Sequence, residues 1–131
     1  MVIVIFAVLA LFVVQTFLPS SIRYLSGGPG TGKRLLTALG PRDEQPQLTH
    51  IGERAQRALT NMQEALPVFL SLALLHVFRN AQDLHAIHGA WIFFIARLAY
   101  VPAYLSGVVG VRSVVWGISW IGLAIMLALL V

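Results

Sequence analysis

Four stretches of this chain are too long and too apolar to be folded away inside a globular core. Val2 to Leu18 is broken only by Gln15 and Thr16 and ends at Pro19. At about 1.5 Å per residue it nearly crosses the hydrocarbon layer of a bilayer. Further apolar segments run to Phe78, from Leu84 to Leu105, and from Ser113 to Val131. Soluble domains are about 25% charged; this chain of 131 residues is 58% hydrophobic and 11% charged. The expected fold class is an all-α membrane protein, a bundle of four transmembrane helices over about residues 2–18, 51–78, 84–105 and 113–131. One domain over residues 1–131 takes up the whole length. No positive charge precedes the first segment and no small-residue cleavage site follows it, so it is read as a retained helix.

The linking segments orient the bundle. Ser20 to His50 is a long polar loop rich in glycine and proline. Its run Gly27-Gly28-Pro29-Gly30-Thr31-Gly32-Lys33 matches most of a phosphate-cradling loop, but Arg34 stands where a Ser or Thr would ligand magnesium. No strand precedes it, so it reads as a flexible connection. Arg23, Lys33, Arg34 and Arg42 fall in this loop, Arg112 falls in the third, and Arg54 and Arg57 lie near the same boundary; the second loop carries only Arg79. The positive-inside rule then puts loops one and three in the cytoplasm and both termini outside. The net charge of +4 is explained by that loop asymmetry and gives no reason to expect nucleic acid as a partner. There is no cysteine. Disulfides, thiolate metal sites and a cysteine nucleophile are therefore excluded, and any thiol chemistry needs a small-molecule thiol. His85 and His88 are three residues apart, with only Asp83 and His76 nearby as further ligands, so no metal site is expected.

The chemistry concentrates where the second helix passes from polar to apolar. Arg54, Arg57, Asn61 and Glu64 are spaced three, four and three apart, on one helical face. Glu64 lies about 10 Å beyond Arg57 along the helix, and Arg97 about 12 Å from the same side in the third helix. Unpaired charge at that depth costs at least about 2.5–3.5 kcal/mol, so the two are expected to pair, within a subunit or between subunits. Tyr100 and Tyr104 share the face of Arg97, and Arg112 sits at the mouth. Such a basic, membrane-embedded pocket suits a small anionic ligand held beside a lipid-soluble one. The plainer alternative is an ion pair that only fixes helix packing.

The pattern Glu53-Arg54-x-x-Arg57-Ala58-x-x-Asn61-x-x-Glu64-x-x-Pro67-x-Phe69 resembles the helix-2 signature of the MAPEG family, the membrane-associated proteins of eicosanoid and glutathione metabolism. Ala96-Arg97-x-x-Tyr100-x-x-x-Tyr104 is similar to the family's helix-3 motif, and loop text such as Gly40-Pro41-Arg42-Asp43-Glu44 looks closer to bacterial members than to the mammalian enzymes. The resemblance covers the whole chain. It implies a homotrimer, in a bacterial inner membrane, with glutathione bound between subunits from the cytoplasmic side. By position, Arg57, Asn61 and Glu64 would hold glutathione, with Arg54 beside them and Arg97, Tyr100 and Tyr104 completing the polar shell. Arg112 would stabilise the thiolate, assisted by Ser113 and Tyr104.

A free thiol ionises near pH 8.5, and bringing that to about 6.5 requires the site to favour the thiolate by about 2.7 kcal/mol. Arginine suits this because it stays charged in a poorly hydrated site. The implied activity is a glutathione S-transferase or peroxidase acting on hydrophobic electrophiles from the lipid. The alternative is a non-catalytic member that binds lipid or a partner protein in the same groove. Thr60 and Ala65 stand where some eicosanoid synthases carry Arg and Tyr, which argues against importing their substrates.

Overall fold

The computed structural model describes residues 1–25, 40, 47–79, 83–108 and 110–131. The glycine-rich run 27–33, with Arg34 and Arg42, lies outside the described residues. Among the described residues four helices follow one another: α1 (Val2–Leu25), α2 (His50–Phe78), α3 (Leu84–Ser106) and α4 (Val111–Ala128). Each is long and apolar enough to cross a membrane. The protein is an integral membrane protein, and its described residues hold four candidate spans.

Local chemistry sets the helix ends. Thr49 caps α2 by accepting a hydrogen bond from the Gly52 amide at 3.1 Å, and Asp83 caps α3 through the His85 amide at 2.8 Å. Gly107 ends α3 in the left-handed region at φ 72°, where glycine carries no steric penalty. The first helix was expected to stop at Leu18 and instead runs through Pro19 to Leu25. Proline removes only one backbone donor, and the added turn packs on α2, where Ile22 approaches the α-carbon of Gly52. The last helix stops at Ala128, short of the expected Val131; Leu130 closes a turn onto the Leu127 carbonyl at 3.0 Å.

The core lies between α2, α3 and the buried faces of α1 and α4. Phe69 and Phe93 stack at 4.7 Å between centroids with 7° between planes, flanked by Val4, Val8, Met62 and Met126. Beside them α3 and α4 cross with backbones nearly touching at Gly89 and Gly122. At the far end α2 is tied to α4 through His76 Nε2, which pairs with the Met126 carbonyl at 2.8 Å, and through Arg79, which donates to the Leu130 carbonyl. These contacts set the vertical register of the helices. Apolar side chains on the outer faces of α1 and α4, among them Ile3, Phe6, Val114 and Ile121, stay exposed and suit lipid contact.

Candidate functional site

The site is at the end of the bundle that carries Arg54 and Arg112. Its innermost group is Arg97. Although charged, this residue is only 1% exposed. One guanidinium nitrogen, Nη1, donates to Asn61 Oδ1 at 2.6 Å across the α2–α3 contact. The guanidinium also lies over the rings of Phe93, at 5.4 Å, and Tyr100, at 5.6 Å. Such cation–π contacts orient the planar group without using its donors. Nε and Nη2 are buried with no hydrogen-bond partner. A buried, charged fork with two free donors is matched to a planar acceptor such as a carboxylate.

Within one chain the expected Arg97–Glu64 ion pair does not form: Asn61, three residues earlier on α2, meets the guanidinium. Glu64 is exposed, yet near enough to Arg97 and Tyr100 to act on both electrostatically. Equal depth in the membrane suggests the pair, but depth alone does not bring two side chains into contact. Arg57, also exposed, lies 3.9 Å from Glu53 one turn back on its own helix. A surface pair of that kind contributes little and leaves Arg57 available.

Toward the basic end Tyr100 and Tyr104 follow, 5.4 Å apart, and Arg112 of α4 lies over the Tyr104 ring at 5.4 Å. Arg54 donates to the Leu105 carbonyl at 3.0 Å, closing the open end of α3. A side chain at Gly107 would strike the Arg54 guanidinium, its β-carbon lying 2.5 Å from Nη1. Glycine there both permits the turn and leaves Arg54 its place.

Two hollows meet at Tyr104 and Arg112. One, of about 260 Å³, is bounded by Arg54, Arg57 and Gly107. The other, of about 460 Å³, extends between Asn61 and Tyr100 on one side and Ser113, Trp116 and Gly117 on the other. The first concentrates three arginines; the second has an aromatic wall. Together they join an anion-attracting mouth to a groove along the membrane-spanning part of α4. The structure therefore brings together Arg54, Arg57, Asn61, Tyr100, Tyr104, Arg112 and Ser113, sets Arg97 just behind them, and leaves Glu64 outside both hollows.

A family model described as the MAPEG family matches residues 1–131. The chain belongs to the MAPEG family. No curated protein and no solved structure gives a significant match. MAPEG proteins generally use glutathione and include glutathione transferases, so membership supports a role in glutathione or eicosanoid metabolism.

The sequence reading missed Phe93, Trp116 and Gly117. Phe93 lies one turn before Arg97 and Trp116 one turn after Arg112, so helical spacing from known charges would have found both. Gly117 had no such signal. At the opposite end the rings of His85 and His88 meet edge-on at 6.3 Å, and no cluster of three metal-ligating side chains occurs among the described residues.

Proposed function

We propose that this MAPEG protein is a glutathione S-transferase or peroxidase that activates the glutathione thiol for attack on hydrophobic electrophiles drawn from the bilayer. One observation carries the reading. The buried Arg97 guanidinium has two donor nitrogens without a partner and lies against Asn61 and Tyr100 of the larger hollow, which meets a mouth lined by Arg54, Arg57 and Arg112. Glutathione supplies two carboxylates, an amino group and a thiol, the chemistry such a site would recognise.

In this reading Arg97 holds a carboxylate while Asn61 and Phe93 fix its guanidinium. Arg57 and Arg54 attract the ligand's negative charge at the mouth, and Tyr100 adds a hydroxyl. Glu64, exposed and acidic, is suited to the amino group. Arg112 stabilises the thiolate, with the Tyr104 ring beneath it and the Ser113 hydroxyl beside it. A fixed cation acts where charge develops and needs no reorganisation during reaction. The second substrate enters from the lipid along α4.

The assembly we propose is a homotrimer. Gln56, Thr60, Gln63 and Ser71 form an exposed ridge on α2, on the side away from the α3 contact. Amides and hydroxyls both donate and accept, so identical ridges can bond around an axis normal to the membrane. The loop charges orient the trimer with both termini outside and the glutathione mouth in the cytoplasm, in a bacterial inner membrane.

Calorimetric titration of the detergent-purified protein with glutathione tests the binding site. Losing the charge of Arg57 in Arg57→Ala should raise the dissociation constant about tenfold or more, the worth of one charge-assisted hydrogen bond. Unchanged affinity would place glutathione elsewhere or nowhere on this chain.

A further inference from the structure

The larger hollow also bears on which electrophile is used. Its walls hold three aromatic side chains, Tyr100, Tyr104 and Trp116, with Asn61, Arg112, Ser113 and Gly117, and no aliphatic side chain among the described residues. In a chain that is 58% hydrophobic, that is a selective lining. Aromatic faces reward a flat π-system by offset or edge-to-face stacking, a gain that a flexible acyl chain does not share. Trp116 is 42% exposed, and its ring is braced edge-on against Trp120 at 5.8 Å. Beside it, a β-carbon at Gly117 would meet no atom within 4 Å, so the space along the indole is open.

From this lining we infer that the second substrate is a planar conjugated acceptor, a quinone or ring-conjugated enone, received between Trp116 and the tyrosines in a slot kept open by Gly117. The inference rests on the glutathione reading above. The reaction is a conjugate addition. The thiolate sulfur bonds to the β-carbon, the C=C pair shifts to join the α-carbon to the carbonyl carbon, and the carbonyl π pair passes to oxygen. The proton lost when the thiol ionised then returns to the enolate. Nothing leaves and no oxidant is needed. Ser113 and Arg112, at the polar end of the slot, are suited to the oxygen that gains charge.

The test compares 1,4-naphthoquinone with trans-2-nonenal, a flexible enal, on the wild type, Trp116→Leu and Gly117→Val in one detergent. Turnover is corrected for the uncatalysed reaction, and the glutathione thiolate absorbance is recorded for each variant. The wild type should favour the quinone. Both variants should lose about fivefold or more in kcat/KM for the quinone, with a smaller loss for nonenal and the thiolate band, which reports glutathione alone, unchanged. Preference for nonenal, or losses equal for both acceptors, would overturn the slot while leaving glutathione activation standing.

Absence of both the thiolate band and turnover would remove the glutathione reading. The slot is then judged by tryptophan quenching with naphthoquinone alone, which cannot arylate a cysteine in this cysteine-free chain. Saturable quenching that Gly117→Val abolishes upholds the slot; the same linear quenching in all three proteins overturns it.

Discussion

Arg97→Met should lose glutathione affinity by about a hundredfold or more, and yet the empty protein should melt no lower than the wild type. The two halves of this prediction share one cause. Burying a guanidinium costs several kcal/mol of hydration, and the folded chain returns a single hydrogen bond to Asn61, two aromatic contacts and the longer-range attraction of the exposed, solvent-screened Glu64. The free Nε and Nη2 donors add nothing until a ligand arrives. Methionine fills similar space with no charge to desolvate, and the neutral Asn61, part-exposed, is left without creating an orphaned charge. With ligand present, each lost charge-assisted bond is worth about 1.5–3 kcal/mol. An arginine serving only to hold α2 against α3 would give the reverse result, a lower melting temperature with binding intact. Arg97→Lys should fall between wild type and methionine, because a point charge cannot reproduce the fork.

A second large effect is expected at the α3–α4 crossing. In Gly122→Leu the new β-carbon would lie 2.6 Å from the Gly89 carbonyl oxygen and 2.8 Å from the Phe93 amide. Both obstacles are backbone, so neither can rotate aside, and the helices must separate. Overpacking usually costs about 1–3 kcal/mol, and this contact should reach or exceed the upper end. The damage should spread to function, because Phe93 braces Arg97 and α4 delivers Arg112 to Tyr104. Thermal unfolding in detergent should show a marked loss of stability together with loss of glutathione binding. Gly117→Ala is the matched control, since its β-carbon meets nothing within 4 Å, and it should melt like the wild type. Equal behaviour of the two variants would mean that the close crossing does not carry the fold.

How much of this was legible in the sequence depends on what each signal measures. Hydropathy measures length, and so it disclosed four crossing helices; it could not say that α1 continues past Pro19, because that turn is settled by Ile22 meeting Gly52 on another helix. Residue spacing gives depth along a helix, and so it put Glu64 and Arg97 near one level. It does not give the rotation of one helix against the next, and so it could not show that Arg97 bonds Asn61 while Glu64 acts on it only at longer range. The family pattern drew attention to polar positions because those are the ones that repeat as a motif. Phe93 and Gly122, which hold the polar groups in place, read in isolation as ordinary apolar and small residues. Gly117 defines its slot by lacking a side chain, a property visible only once the neighbouring walls are known.

The central claim, that this chain activates a thiol, is tested most directly by ultraviolet difference absorbance during a glutathione titration at neutral pH. The site is expected to produce a saturable thiolate band, and Arg112→Ala should abolish the band while calorimetry still detects bound glutathione. Binding without a thiolate band in the wild type would contradict the claim and make the protein a holder of glutathione. No binding at all would leave the groove to lipid or a partner protein.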